Sequence, residues 1–573
     1  MDISKGYDTI NDAGSQRVNS IPFLPKQKNI KRRAIAGVVI GIASALVISS
    51  IIVMLTSKKG KEIPAPKRNL IMMISDGFGP ASETYARQYH QWREGLAPKS
   101  ALLPLDEIHV GHSRTQSASS LVTDSAAGAT AFACGQKSYN GAIGVTPNKN
   151  PCGTVLESAK HHRHMLTGLV VTSRISHATP SSFNSHVVDR NMEPDIAAQQ
   201  IGYNPLGRST DLMFGGGACE FISNATQGSC RHDQRDLYQE AQDQFGWTVK
   251  HNRQEFDALR PDNVKLPLMA IFTPQHMSYE IDRNPSLEPS LKEMSAKALS
   301  ILSAATKESD NGFFLMIEGS RIDMAAHSND AAAHLYEIME YQHTVELVKD
   351  FVRNNPDTVL ISTSDHETGG LTVGRQVGSA YPEYKWQVYS LIWCGDPDSF
   401  PLFDRNPEVI SHVTNSSEVL ASMWNQATET KTASVDYLKK NIIADGLGVT
   451  DPSPEEIESL MTWKASGKTV DVLATYLSDI VSRRALIGFT TWGHTAVDVN
   501  LYALGEGTDS LRGSHENTEI GDFIVDYLGL DLKDITQRLN SGDTKTLLKP
   551  RSMPLFTVDD STSKLSDHER FNN

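Results

Sequence analysis

Short apolar runs alternate with helix-like patterns from Asn69 onward. Because strands that alternate with helices usually build a layered sheet, this order predicts an α/β domain with a central, mainly parallel sheet flanked by helices. The stretch between His366 and His494 has a different texture, with helical patterns around Val435–Ile442 and Val470–Arg484.

A helix start is marked inside this stretch. Ser453, Pro454 and Glu456 supply a cap, a proline at the first helical position and an acid at the third. We therefore predict a helix-rich insertion at 375–484, used for packing or dimer contact, that returns the chain to the core sheet near Leu486–Thr491. The main domain would then comprise 69–374 and 485–535.

Polar residues stand at the ends of four apolar runs. They are Asp76 after NLIMMIS, His177 and Thr179 after LTGLVVTSR, Glu318 in GFFLMIEG, and Asp365 and His366 after TVLISTS. In an open α/β sheet, ligands bind at the carboxyl ends of the strands, so residues far apart in sequence can converge there. We expect these groups to form one shared site.

An uncharged, mostly apolar run occupies 34–55. At about 1.5 Å per residue it is long enough to cross a hydrocarbon core of about 30 Å. It is also longer, and farther from the N-terminus, than the apolar region of a cleaved signal peptide. We expect a transmembrane signal anchor between a cytosolic tail (1–33) and a flexible linker (56–68).

The orientation of this anchor rests on the rest of the chain, because basic residues are balanced on its two sides. Glycosylation sequons at Asn224 and Asn415, together with a plausible disulfide, favour a type II topology with the large C-terminal part in a lumen or outside the cell. The polar segment 550–573 is interpreted as a flexible tail or a cleaved propeptide.

Five cysteines are present, too few for a disulfide scaffold and without the C-x-x-C spacing of a structural zinc site. Cys219 and Cys230 bracket a short polar loop that contains Asn224, so we predict a disulfide between them. The alternative is that both are reduced. At least one of the five must lack an intramolecular partner.

The formal charge of −14 argues against a nonspecific nucleic-acid binder, which neutralises phosphates with clustered lysine and arginine. It does not exclude an anionic substrate, because bound divalent cations can be the largest local charges in a site. The hydrophobic content of 39% is that of an ordinary globular protein, which argues against wholesale disorder.

Metal ligation is indicated by the spacing of several of these groups. Asp323 and His327 stand four residues apart, so a helical turn would place both on one face near Glu318. Asp365 and His366 form a second mixed pair, and Asp76 is a carboxylate able to bridge two cations. Oxygen and nitrogen ligands without thiolate suit catalytic Zn²⁺ and, where only oxygens meet, Mg²⁺.

Ser125 is the candidate nucleophile. In LVTDSAAGATAFACG, the small residues and the terminal Gly135 predict a compact helix that begins at Asp124 and Ser125. Taken alone, such a serine is far more often an ordinary helix cap. Only the surrounding metal ligands favour a catalytic role.

A family resemblance is carried by five segments in order: VTDSAAGATA, ISHATP followed by Asp189 and Arg190, EGSRIDMAAH, TSDHETGG and WGHT. Together they resemble the motifs of the alkaline phosphatases, and the match runs from about Asn69 to about Leu530. Several motifs in correct order make coincidence negligible. The N-terminal anchor points to the vacuolar, membrane-anchored fungal branch of that family.

This resemblance implies hydrolysis of small phosphate monoesters through a phosphoserine at Ser125, with a broad substrate range and an alkaline pH optimum. It implies a homodimer, and a catalytic domain in the lumen of the vacuole. It also implies two Zn²⁺ and one Mg²⁺ per subunit. By that reading one zinc is held by Asp323, His327 and His494, the second by Asp76, Asp365 and His366, and magnesium by Asp76, Thr179 and Glu318, while Arg190 clamps the phosphoryl oxygens.

Two positions bear on this comparison. His177 stands where some bacterial relatives have aspartate, although histidine is also familiar there, and Met324 stands where other members carry lysine or histidine. The thioether of Met324 cannot contact phosphate through a water molecule. We therefore do not expect this position to supply the outer cation that lysine or histidine supplies in other members.

Three other features have simpler interpretations. His161, His162 and His164 stand at a predicted helix end without nearby carboxylates, and Gly215–Gly217 lacks the Lys-Ser or Lys-Thr of a phosphate loop. We interpret these as a solvated helix end and a tight turn. His515 is expected to be structural.

The nearest enzymatic alternatives are a metal-dependent phosphodiesterase or sulfatase on the same sheet. Arg190 favours a doubly charged monoester, and the alanines after Ser125 differ from the pattern around the oxidised residue of a sulfatase. A noncatalytic, metal-stabilised membrane protein is the alternative from another class. The presence of every expected ligand argues against it.

Overall fold

The computed structural model of the chain describes residues 67–375 and 406–541. The predicted anchor at 34–55, the tail before it, nearly all of the linker at 56–68 and the segment 550–573 lie outside these residues. Within the described part of the chain, no helix is long and apolar enough to span a bilayer.

The strands are β1 (Asn69–Ser75), β2 (His109–Arg114), β3 (Leu166–Arg174), β4 (Leu212–Gly216), β5 (Thr248–Lys250), β6 (Leu268–Ile271), β7 (Phe313–Gly319), β8 (Thr358–Thr363), β9 (Glu367–Thr368), β10 (Thr372–Val373), β11 (Ile487–Gly488), β12 (His494–Thr495), β13 (Val499–Leu504) and β14 (Gly513–Glu516).

The first α-helices are α1 (Pro80–Arg93), α2 (Ser125–Cys134), α3 (Val155–His161), α4 (Ala178–Ser181), α5 (Glu193–Ile201), α6 (Leu237–Phe245), α7 (Arg253–Asp257), α8 (Leu291–Ala305), α9 (Arg321–His327) and α10 (Ala331–Asn354). They are followed by α11 (Asn406–Ser411), α12 (Ser417–Glu429), α13 (Val435–Tyr437), α14 (Pro454–Thr462), α15 (Val470–Ala485), α16 (Asn517–Leu528) and α17 (Leu532–Asn540). A π-helical segment, Leu438–Ala444, continues α13. Short 3₁₀ turns occur at Pro98–Ser100, Asp106–Ile108, Ala218–Glu220, Pro261–Asn263, Trp463–Ser466 and Thr508–Leu511.

One ten-stranded sheet organises the domain, in the order β14-β2-β13-β8-β1-β7-β3-β4-β6-β5. Every neighbouring pair from β8 to β5 is parallel. Only β13, among the described strands of this sheet, runs antiparallel to its neighbours. The predicted α/β fold with a mainly parallel central sheet is confirmed.

The strand β1 lies near the middle of this sheet and is buried along its whole length. Leu70, Met72 and Ile74 pack into one apolar cluster, whereas Ile71 and Met73 pack into the other. Because successive side chains of a strand point to opposite faces, helices must cover both sides of the sheet. The continuous apolar run of β1 follows from this double burial.

The described part of the predicted insertion, 406–484, is helical. Its α12 and α15 pack against one another, and Trp424 of α12 is fully buried. The capping signature at Ser453 is present as a reciprocal pair of hydrogen bonds with Glu456 at the start of α14.

The prediction that the chain returns to the core sheet near Leu486–Thr491 was wrong. There β11 pairs with β10 in a separate two-stranded ribbon, and the strand that enters the core sheet is β13. Apolar residues alone cannot tell a ribbon from a sheet strand, because the pairing partner decides between them.

Two disulfides are present in the described residues. Cys219–Cys230 confirms the sequence prediction. Cys134–Cys152 was not predicted, and it joins the C-terminal end of α2 to the segment before α3. The fifth cysteine, Cys394, lies outside the described residues.

Candidate active site

Polar side chains from several parallel strands meet at the carboxyl edge of the sheet. Asp76 follows β1, Asp365 follows β8, Glu318 lies at the end of β7, and Thr179 lies in α4, just beyond β3. All four residues are fully buried. The edge that the sequence indicated is therefore where these groups converge.

Two glycines allow neighbouring backbone to approach this edge closely. A Cβ on Gly128 of α2 would lie 2.9 Å from Cβ of Asp365. Gly77 has φ of +74°, and a Cβ there would lie 2.6 Å from Cα of Asp323. Because glycine alone meets both demands at Gly77, the turn after β1 can pack directly against α9.

Ser125 is the first residue of α2 and is buried. Asp124 caps the helix, since its Oδ1 accepts the amide of Ala127 at 3.0 Å, while its Oδ2 accepts the amide of Gly141 at 2.8 Å. The ordinary cap interpretation of Ser125 is therefore wrong. Its Oγ instead lies 3.0 Å from Nε2 of His366, at the strand edge.

Arg190 contacts Asp124, the residue that precedes Ser125. Its guanidinium donates to Oδ2 of Asp124 at 3.1 Å and lies 3.2 Å from Nε2 of His177. A cavity of about 360 Å³ opens at this point, lined by residues that include Asp124, Arg190, His327 and His494. An anion entering the cavity would meet a guanidinium that is already oriented.

Two clusters of potential metal ligands lie beside the serine. One consists of Asp323, His327 and His494, and the other of Asp76, Asp365 and His366. Within each cluster, one ligand atom from every residue lies within 4.8 Å of the others. These are the groupings that the family resemblance implied.

The imidazoles of the first cluster fit a cation. Nδ1 of His494 donates to the carbonyl of Thr123 at 2.9 Å, and Nδ1 of His327 donates to the carbonyl of Trp492. Both Nε2 atoms are then unprotonated acceptors in the neutral rings, and they face one another at 3.1 Å. Two lone pairs so close repel unless a cation or a proton lies between them.

The oxygens of the second cluster and its surroundings fit a hard cation. Both carboxylate oxygens of Asp76, Oδ2 of Asp365, Oε1 of Glu318 and Oγ1 of Thr179 are buried, and none has a normal hydrogen bond to a described residue. Buried polar atoms of this kind are costly without a partner. Oxygen ligands are what Mg²⁺ prefers, and Asp76 can serve both sites.

The match to a protein-family model identifies the family of this chain. The model described as alkaline phosphatase matches residues 67–530, which include every residue of the two clusters. This chain belongs to the alkaline phosphatase family. The predictions that it is a phosphoric monoester hydrolase and that its chemistry depends on metal ions are confirmed at that level.

Relatives and solved structures agree with this family. The chain is 46% identical over 503 residues to an alkaline phosphatase of Schizosaccharomyces pombe, a match that covers 87% of this chain and 88% of the relative. It is 42% identical to the repressible alkaline phosphatase of Saccharomyces cerevisiae, covering 91% and 92%. It superposes on the cold-active alkaline phosphatase of Shewanella sp. with a TM-score of 0.65 at 29% identity, covering 80% of this chain and 99% of that structure.

The carboxylates of this alkaline phosphatase site have strongly perturbed pKa values in the metal-free protein. Burial raises the pKa of Asp76 well above its usual range, and the neighbouring charge of Asp365 adds to the effect. Burial raises the pKa of Glu318 to about 8 and, with the charge of Asp323, that of Asp365 to about 7. Without cations, several of these groups hold protons at neutral pH.

The pKa of Asp323 is shifted in the opposite direction. Although burial acts to raise its pKa, the charge and hydrogen bond of His327 hold that pKa well below its usual range. Burial and the neighbouring His494 lower the pKa of His366 well below its usual value. A neutral His366 ring suits a metal ligand, because coordination needs an unprotonated nitrogen.

The remaining predicted features lie outside the site. Met324 is buried against Tyr279, Ala325 and Ala333, so no cation from this position reaches the cavity. His515 contacts Glu519 on β14 and α16, and His161 lies 2.9 Å from Oγ of Ser209 at the end of α3. Neither histidine approaches the two clusters.

Two residues that position the site were missed. Thr368 accepts from Nδ1 of His366 at 3.2 Å and donates to Oδ1 of Asp323 at 2.5 Å, thereby linking the two clusters. Asp124 holds both α2 and Arg190. The capping pattern around Asp124 was visible in the sequence, whereas nothing local signals the part played by Thr368.

Proposed function

We propose that the protein hydrolyses phosphate monoesters with Ser125 as the nucleophile and a phosphoserine as the intermediate. The observation that carries this proposal is the position of the Ser125 hydroxyl. It is buried, belongs to the first turn of α2, lies 3.0 Å from Nε2 of His366 in one ligand cluster, and follows Asp124, which binds Arg190. A capping serine at a solvated helix end would have none of these neighbours.

The proposal assigns three cations to the described ligands. One Zn²⁺ would be held by Asp323, His327 and His494, a second by Asp76, Asp365 and His366, and Mg²⁺ by Asp76, Thr179 and Glu318. Bound cations of this kind polarise phosphoryl oxygens and favour the ionised form of a neighbouring hydroxyl. The facing imidazole nitrogens and the unpartnered oxygens support this assignment.

The chain's own residues orient the reaction. Asp124 fixes the first turn of α2, so the Ser125 oxygen is presented to phosphorus and does not turn back to cap the helix. Arg190, held by the same carboxylate, donates to two phosphoryl oxygens in a bidentate manner. A doubly charged monoester matches these donors better than a singly charged diester.

Two bond exchanges complete the reaction. The Ser125 oxygen forms a bond to phosphorus as the bond to the ester oxygen breaks, and the alcohol leaves with a proton. Water then attacks phosphorus from the side that the alcohol has left, opposite Ser125. The bond between phosphorus and the Ser125 oxygen breaks, inorganic phosphate is released, and a proton from the water returns to Ser125. Positioning and charge stabilisation supply most of the catalysis in this type of transfer.

Kinetics with the purified, metal-loaded protein test this proposal. Hydrolysis of a phosphate monoester should greatly exceed that of a diester and of a sulfate ester with the same leaving group. Ser125→Ala should lower the monoester rate by several orders of magnitude, as loss of a nucleophile does in other enzymes. A Ser125→Ala rate close to wild type would contradict the proposal.

We also propose that the protein is a homodimer anchored in the vacuole membrane through 34–55, with its catalytic domain lumenal. Two disulfides support an oxidising compartment. The sequon residue Asn224 is exposed, whereas Nδ2 of Asn415 contacts Asp282 at 3.3 Å. An endoglycosidase-sensitive mass shift that disappears in Asn224→Gln, on a carbonate-resistant membrane protein, is expected.

A further inference from the structure

A second cavity, of about 320 Å³, lies beside the reaction cavity and shares Trp492 with it. Three aromatic residues and a valine line it together with five polar or charged residues. We call it the side groove, and its wall includes Asn329, Arg375, Val472, Tyr476, Phe489 and Trp492.

One face of α15 forms a wall of the side groove. Val472, Tyr476 and Asp479 are spaced by four and three residues, so they share a face of the helix. The opposite face, with Leu473 and Leu477, is buried in the core. Val472 is 38% exposed, so the apolar part of this face stands open to a ligand.

Trp492 separates the two cavities in a fixed orientation. With the Asn329 amide turned so that its nitrogen donates to the carbonyls of Ala326 and Thr491, its oxygen accepts the indole N–H at 3.0 Å. The Trp492 carbonyl accepts from Nδ1 of His327. The ring is nevertheless 55% exposed, which is unusual for so large an apolar side chain.

The direction of the leaving group connects this ring to the substrate. If Ser125 attacks phosphorus in line, as the proposed function requires, the ester oxygen points away from Ser125. His327, Trp492 and His494 all line the cavity into which that oxygen is directed. An alcohol that extends from the reaction cavity into the side groove meets the indole, because Trp492 lines both cavities.

The charge of the side groove limits the class of alcohol that the groove can bind. Its cation, Arg375, is paired with Asp479 at 2.5 Å, so the pair adds no net charge. The exposed indole, together with Val472 and Phe489, offers apolar and aromatic contact surface. An uncharged aromatic alcohol suits this surface better than one that carries further phosphate groups.

We propose that the side groove binds the alcohol portion of phosphate esters of aromatic alcohols, and that Trp492 is a specificity-determining residue of the reaction. A stacked aromatic pair contributes about 0.5–1.5 kcal/mol beyond area burial, which corresponds to about two- to thirteenfold in specificity.

The test compares kcat/KM for 1-naphthyl phosphate and for glycerol 2-phosphate. The ratio of the two should fall about two- to thirteenfold in Trp492→Ala and be largely retained in Trp492→Phe. Tyr476→Ala, which changes the groove but not the reaction cavity, should lower the ratio in the same direction. Leu287→Ala, an exposed residue outside both cavities, is the matched control.

A binding measurement separates affinity from turnover. The affinity for phenylphosphonate, divided by the affinity for methylphosphonate, should be lower in Trp492→Ala than in the wild type by a similar factor. An unchanged ratio in both Trp492→Ala and Tyr476→Ala would overturn the inference and leave the proposed function intact. Wild-type protein that hydrolyses neither ester would instead overturn the proposed function.

Discussion

The hydroxyl of Ser125 and the imidazole of His366 lie 3.0 Å apart although 241 positions separate them in the chain. The serine arrives at the start of α2, and the histidine arrives just after β8. Gly128 makes the meeting possible, because it lets α2 lie against the backbone of Asp365. The expected behaviour of several variants follows from this contact.

Gly128→Ala tests the close approach of α2 to the sheet edge. An added methyl group would lie 2.9 Å from Cβ of Asp365, so the helix or the ligand must move. We expect a stability loss of about 1–3 kcal/mol from overpacking. A displacement of about 1 Å at the reacting atoms can cost about 100-fold in rate.

Urea unfolding and monoester kinetics on the same preparation measure both effects. Gly95→Ala is a contrasting variant, because its Cβ would meet nothing within 4 Å and only its φ of +62° disfavours alanine, whereas Gly128 lies inside α2 and has no positive φ. If Gly128→Ala keeps full activity, the packing of α2 does not position Ser125.

Arg190→Ala should weaken the interaction with the phosphoryl oxygens, because the guanidinium is already oriented by Asp124. Loss of one well-placed charge-stabilising donor costs about 10²–10³ in rate in comparable sites. Arg190→Lys should recover only part of this loss, since an ammonium cannot donate in a bidentate manner. The inhibition constant of inorganic phosphate measures the effect, and full recovery by lysine would exclude a bidentate contact.

Binding of metal ions should be coupled to the release of protons from the buried carboxyl groups of the site. In the metal-free protein, burial raises the pKa of Glu318 to about 8 and that of Asp365 to about 7. Cation binding requires the ionised carboxylates, so binding near pH 6.5 should release protons and affinity should rise with pH. Calorimetry in two buffers of different ionisation enthalpy measures the released protons. Zinc binding without proton release would contradict these raised pKa values.

The same shifts affect the stability of the metal-free protein. A carboxyl whose pKa is higher in the folded state than in the unfolded state contributes stability below its unfolded pKa, and this contribution is lost as pH rises through the folded pKa. The metal-free Tm should therefore fall between about pH 5 and pH 8. Metal-loaded protein should show a smaller fall, because bound cations keep the carboxylates ionised.

The disulfide Cys134–Cys152 should stabilise the helix that carries Ser125. Its sequence separation is 18, and closing a loop of this size contributes about 3 kcal/mol in the chain-entropy model. A Cys134→Ser/Cys152→Ser variant should have a lower Tm than the wild type under oxidising conditions, and a reductant should lower the Tm of the wild type by more than that of the variant. Equal stability of variant and wild type would show that the bond contributes nothing.

Much of the fold and of the site was predictable because local patterns coincide with global ones. The apolar run of β1 is buried on both faces, and Asp76 stands where that run ends. The helical spacing of Asp323 and His327 likewise places both residues in one cluster. In these cases the chemistry and the strand or helix that positions it are encoded in the same short segment.

Other features depend on partners far away in the chain. The prediction of a return strand near Leu486–Thr491 was wrong because β11 pairs with β10, and this pairing is determined by tertiary contacts. Cys134 and Cys152 pair because α2 ends near the start of α3, which spacing alone does not show. The bridging role of Thr368 likewise requires Asp323, from helix α9, to lie beside it.

The most direct test is to map the phosphorylated residue in the reacting enzyme. Metal-loaded protein would be mixed with a ³²P-labelled monoester, quenched with acid within one turnover, digested and sequenced by mass spectrometry. Label on Ser125 in wild type, and none in Ser125→Ala, is the expected result. Rapid turnover without any labelled protein, or label on a different residue, would contradict Ser125 as the nucleophile.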